Sequence, residues 1–160
     1  MSELLKKQNY GVEVEFTGIS RKMAADAVAE IIGTTASRPD HTCYQTRTIQ
    51  DSQGRKWKVM RDSSINPIRK VGTENMDEYR VEFVTPVLKY EDLETLQAII
   101  RKFREIGGVP HASCGIHIHV DGANHTATSL RRLVRAFSFL LSIFQTATGT
   151  LLPFCLLTVA

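Results

Sequence analysis

Cysteine is scarce in this chain and never paired as C-x-x-C: Cys43, Cys114 and Cys155 lie far apart and are odd in number. That excludes a zinc ribbon and argues against a disulfide framework, so reduced thiols and a cytoplasmic location are expected. Like charges do not cluster. Lys and Arg number 20 against 17 Asp and Glu, a net charge of +3 spread along the sequence. The basic patch that nucleic-acid binding requires is therefore missing. The first nine residues are polar and charged around Leu4-Leu5, which predicts no signal peptide. Internal repeats and low-complexity segments are also lacking. With 42% hydrophobic and 23% charged residues over 160 positions, the composition is that of one globular domain with a real core.

One absence is local. Residues 136–160 carry no charged side chain, whereas the rest of the chain is rich in them. The stretch is long enough for a membrane-spanning helix. Thr146, Thr148, Gly149, Thr150, Pro153 and Thr158 make it a poor one, so membrane attachment is not expected. A helix followed by a short strand, or a carboxy terminus altered by truncation or frameshift, are the other readings.

What is present is alternation. Three segments, G-V-E-V-E-F at 11–16, R-V-E-F-V at 80–84 and G-I-H-I-H-V-D at 115–121, place polar and apolar residues in turn. Side chains two apart on a strand share a face. Glu13 therefore projects with Glu15, Arg80 with Glu82, and His117 with His119 and Asp121. The intervening valines, isoleucines and phenylalanines form an opposite, apolar face. Crowded carboxylates and imidazoles repel or desolvate one another unless cations sit among them. The pattern points to a metal-dependent site.

Periodicity fills in the rest. A strand is expected at 10–16, then a helix at 21–32 with Ser20 as N-cap and Gly33 as the closing residue. Segments 43–49 and 56–62 read as a hairpin around Asp51-Ser52-Gln53-Gly54. A loop at 66–77 leads to a strand at 79–85, ended by Pro86. A helix at 91–106 carries the stripe Leu93, Leu96, Ile99, Ile100, Phe103 and Ile106. The His-x-His strand follows, then a helix from about Ser129 with Leu130, Leu133, Val134 and Phe137 on one side. Half-polar strands in this order predict an α+β domain, a mainly antiparallel sheet with helices on its apolar face.

Glu13, Glu15 and Glu82 are hard oxygen donors suited to Mg²⁺ or Mn²⁺, and His117 adds a nitrogen. Cations at nucleotide phosphates and a fixed positive group are what phosphoryl transfer needs, and Arg80 is a candidate for that group. A rival reading takes His117-x-His119-x-Asp121 as the opening of a zinc-hydrolase motif, which would leave the glutamates idle. His41, His111 and His125 are expected in loops. Asp62 with Ser63 and Ser64 reads equally as turn chemistry or as a substrate contact.

Taken in order, G-V-E-V-E-F, W-K-V-M-R-D-S-S at 57–64, R-V-E-F-V-T-P at 80–86 and C-G-I-H-I-H-V-D at 114–121 resemble the amidoligase family. That family belongs to the carboxylate–amine ligase superfamily of glutamine synthetase and γ-glutamylcysteine synthetase. The resemblance implies a glutamine-synthetase-like half-barrel that binds ATP and divalent cations. It implies amide or peptide bond formation through an acyl phosphate, from small-molecule or peptide carboxylate and amine substrates. Carried over by position, Glu13, Glu15, Glu82 and His117 would ligate metal and His119 would meet ATP phosphate; Glu82 and Arg80 are the expected catalytic residues, Arg80 also contacting the nucleotide. An amidoligase-like catalytic domain is thus expected over 1–137, and an apolar tail over 138–160. The superfamily's later arginines and glutamate have no counterpart after Arg135, so an incomplete member, a non-catalytic nucleotide- or metal-binding relict, is the alternative.

Overall fold

The computed structural model describes residues 6–68, 76–123, 125–148 and 155–159. Its elements run β1 (Tyr10–Phe16), α1 (Arg21–Ile32), β2 (Arg47–Gln50), β3 (Lys56–Met60), β4 (Val81–Val84), α2 (Leu93–Glu105), β5 (Ile116–Val120), α3 (Ala127–Thr148) and β6 (Cys155–Val159). The six strands form one open sheet in the order β2-β3-β4-β1-β5-β6. Neighbours from β2 to β5 pair antiparallel, and β6 joins β5 in parallel. The expected α+β class with a mainly antiparallel sheet is what is found.

Alternation decides the layers. The inward side chains of β1 to β4 (Phe16, Ile49, Trp57, Val59, Val81 and Phe83) meet α1 through Ala24, Ala25, Val28 and Ala29, and α2 through Leu96, Ile99 and Phe103. Phe83 stacks on Trp57 at 6.1 Å between centroids and meets the edge of Phe103 at 5.3 Å. Such aromatic pairs add to what area burial alone contributes. On β5, Ile116 is 46% exposed and lies outside this core.

Local chemistry sets the ends. Ser20 accepts a hydrogen bond from the Met23 amide, and Gly33 closes α1 at φ 79°. Gly18, at φ 88°, lets the chain pass so close to Gly107 that an added Cβ would stand 2.5 Å from its carbonyl oxygen. At the far end of the sheet, Arg55 forks onto Asp92 at 2.8 and 2.9 Å and also reaches Asp51, tying the hairpin turn to the start of α2.

Several boundaries differ from expectation. The first hairpin strand starts at Arg47 rather than 43, because Asp40 accepts from the Thr42 and Thr46 amides and winds that segment into turns. β4 starts at Val81, since Met76–Tyr79 form a 3-10 turn. A second 3-10 turn, Tyr90–Asp92, precedes α2, with Asp92 accepting from the Lys89 amide. α3 starts at Ala127, where Thr126 accepts from the Ser129 amide. Along α3 Leu130 and Leu133 are half-buried while Val134 is exposed, so the expected stripe is only partly used. The 137/138 division falls within α3. Of the expected 66–77 loop, 69–75 lie outside the described residues. No helix among the described residues is long and apolar enough to cross a membrane.

Candidate metal and nucleotide site

Sheet register builds the site. Glu13 on β1 stands opposite His117 on β5, and Glu15 stands opposite Glu82 on β4. Residues opposite one another in a ladder share a face, so all four project from the side away from α1 and α2. His119 stands opposite Gly11, where an added Cβ would come within 3.8 Å of the His119 Cβ.

The distances are short. His117 Nδ1 is 3.1 Å from Glu13 Oε2, and its Nε2 is 3.8 Å from Glu15 Oε1. His119 Nε2 comes within 3.3 Å of Glu13 Oε1 but is not aligned for a hydrogen bond, which leaves it buried without one. Glu15 keeps one oxygen for the Gly115 amide at 2.8 Å. Oxygens of Glu15, Glu82 and a third carboxylate, Asp62, all lie within 4.8 Å of one another.

Asp62 arrives from the loop after β3, and that loop is pinned at many points. Asp62 Oδ1 accepts from the Ser64 amide at 2.7 Å, Ser113 Oγ from the Asn66 amide, and buried Thr17 Oγ1 from the Ile68 amide. Arg80 Nη1 donates to the carbonyls of both Ser63 and Ile65, and its Nε is 3.5 Å from Asp77. Asp77 also takes Arg61 at 2.8 Å and buried Arg21 at 3.5 Å. Arg80 thus braces the Asp62 loop. Asp62, which reads from the sequence equally as a turn residue or a substrate contact, makes the turn with one oxygen and lies beside Glu15 and Glu82.

Charge crowding has the expected electrostatic result. Burial, then the carboxylates of Glu13, Asp62 and Glu15, push the Glu82 carboxyl up to about 7. Glu15 is raised as well, chiefly by burial and partly by Asp62. Carboxyls perturbed by burial and by like charges are the kind found at catalytic and cation-binding sites.

His117, His119 and Asp121 do not assemble as a three-ligand group among the described residues. Asp121 is taken by the Asn9 side chain at 3.0 Å and the Ala123 amide at 2.9 Å, which removes it from the zinc-hydrolase arrangement. His111 and His125 contact Ser113 and Ser129 instead, and Cys43 and Cys114 are free thiols. Beside the cluster a cavity of about 500 Å³ opens, lined in part by Gly11, Glu13, Val84, Pro86 and His119.

Neither the curated proteins nor the solved structures compared with this sequence hold a significant match. A family model described as "Putative amidoligase enzyme" matches residues 6–155, which span every strand that carries the site. By that match the chain belongs to the amidoligase family.

Proposed function

We propose that this chain is an ATP-dependent carboxylate–amine ligase, working on a glutamine-synthetase-like half-barrel with Mg²⁺ or Mn²⁺. The observation that carries the proposal is the convergence of Glu13, Glu15, Glu82, His117 and Asp62 on one sheet face, where three carboxylate oxygens crowd within 4.8 Å. Family membership supports amide ligation as the reaction class.

The donor set fits divalent cations. Carboxylate oxygens and one imidazole are the ligands that Mg²⁺ and Mn²⁺ accept. Glu13 orients His117: the tautomer that donates Nδ1–H to Glu13 leaves an Nε2 lone pair 3.8 Å from Glu15 Oε1. Two lone-pair atoms facing each other repel, and a cation between them turns the repulsion into attraction. The unsatisfied His119 Nε2 fits a phosphate oxygen as its partner. When bound, the cations neutralise the nucleotide phosphates and the charge that develops as phosphate moves. Glu15, Glu82 and Asp62 would hold and place them; Arg80 keeps the Asp62 loop in position, and the cavity over Gly11 and Val84 would receive the rest of the ligand. The overall conversion is carboxylate, amine and ATP to amide, ADP and phosphate.

The direct test is ADP formation by the purified protein with panels of amino-acid and small-peptide carboxylates and amines. Turnover is expected only when a carboxylate, an amine, ATP and Mg²⁺ are all present. A second reading, nucleotide binding without turnover, draws on Arg80: its guanidinium is committed to the Asp62 loop rather than to a phosphate. MgATP binding with no ADP formed across both panels is the outcome that selects it.

A further inference from the structure

The cluster of acids and histidines occupies only part of the open face, and the register shows what stands beside it. Lys58 on β3 is opposite Val84, Val84 is opposite Glu13, and Glu13 is opposite His117. These four residues form one line across four strands, all projecting to the same side. At roughly 4.8 Å per strand, the Lys58 Cα is about 10 Å from that of Glu13. Val84, small and apolar, stands on the strand between them. Lys56 is two residues earlier on β3 and so shares this face.

Both lysines are exposed, and neither has an ion-pair partner among the described residues, although Glu82 stands opposite Met60, a single alternation away from Lys58. The face is therefore polarised. Carboxylates and imidazoles line one side, two unengaged ammonium groups the other, and Val84 and Pro86 floor the cavity beside Glu13 and His119. A volume of about 500 Å³ is the size of a small-molecule site. Lys58 stands outside its lining, on the strand next to that of Val84.

We infer that Lys58, with Lys56 beside it, is an anion-recognition element: it holds a carboxylate or phosphate oxyanion of a ligand whose body lies on Val84 and whose other end meets the metal cluster. This rests on the ligase reading above. An ammonium on a flexible stem is a point-charge contact that suits either anion, and it carries no metal itself. The acids cannot perform this role, since they repel every anion that does not bring a cation. Lys58 is thus the residue that discriminates a ligand with a second anionic group from one without.

The test compares wild type, Lys58→Met and Lys58→Arg by calorimetric titration with Mg²⁺ alone, with MgATP, and with glutarate in the presence of MgADP. Lys58 is exposed, so the variants are expected to melt as wild type does. A loss of tenfold or more in MgATP affinity for Lys58→Met, restored by Lys58→Arg, identifies the anion as phosphate. The same loss confined to glutarate identifies it as a substrate carboxylate. Mg²⁺ affinity stays unchanged in both cases. Wild-type affinity of Lys58→Met for both ligands, or no binding of either by wild type, overturns the inference. Failure of wild type to bind Mg²⁺ at all instead removes the ligase reading on which it stands.

Discussion

Glutamine at position 82 is expected to make the metal-free protein more stable at pH 8 and to abolish its response to Mg²⁺. Glu82 titrates near 7 in the fold, against 4.5 ordinarily. Between those values the folded state binds more protons than the unfolded one. Stability therefore falls as pH rises from about 4.5 to about 7 and levels off above, because the charged Glu82 faces Glu15, Glu13 and Asp62. Glu15, also raised, adds to the same slope. Glu82→Gln keeps the shape and removes the charge. Its melting temperature should exceed that of wild type at pH 8, by roughly 3 °C for each kcal/mol of repulsion relieved. At pH 5 the two should nearly coincide. Millimolar Mg²⁺ should raise the wild-type melting temperature and leave the variant unmoved, since the amide supplies no anionic ligand. Thermal melts across this pH range, with and without Mg²⁺, read all of it. A variant less stable than wild type at pH 8 contradicts the charge-crowding account.

Substitution of Arg80 by methionine should weaken Mg²⁺ binding although Arg80 is not a ligand. Its Nη1 donates to the Ser63 and Ile65 carbonyls, which hold the loop that presents Asp62 to Glu15 and Glu82. Methionine keeps the apolar stem and deletes the fork. The part-buried Ile65 carbonyl, left without its donor, costs about 1–3 kcal/mol, and the Asp62 carboxylate loses its fixed position. Mn²⁺ titration without nucleotide should show affinity reduced about tenfold, together with a lowered melting temperature; 1.4 kcal/mol corresponds to that factor. A phosphate-binding arginine would behave differently. In that case metal affinity would be untouched and only ATP affinity would fall, so the two roles separate in one experiment.

This reassignment of Arg80 shows where sequence reasoning reaches its limit. Arg80 and Glu82 stand two apart, and strand alternation would put them on one face. The strand begins at Val81, though, and Arg80, just after a 3-10 turn, gives its guanidinium to the Ser63 and Ile65 carbonyls. Alternation was decisive where the strand was long enough. β1 covers the expected 10–16, and its Glu13 and Glu15 meet His117 and Glu82 as register requires. α1 was equally legible, because both of its ends are set by local chemistry at Ser20 and Gly33. Asp62 was not, since a D-S-S turn looks the same whether or not its second oxygen faces a distant strand. Lys58 was hidden for another reason. An exposed lysine on a half-polar strand reads as solvation, and only the pairing of β3 with β4 and β1 reveals what it faces. The parallel pairing of β6 with β5 had no signal in an uncharged, apolar sequence.

The most direct test of the account is calorimetric titration of the protein with ATP, with and without Mg²⁺, beside Glu15→Ala. Glu15 stands 3.8 Å from His117 and within 4.8 Å of both Asp62 and Glu82, so the site should not survive its loss. The account predicts ATP binding that requires Mg²⁺ and that disappears in the variant while its fold persists. ATP binding of equal strength without Mg²⁺, or undiminished in Glu15→Ala, would contradict it.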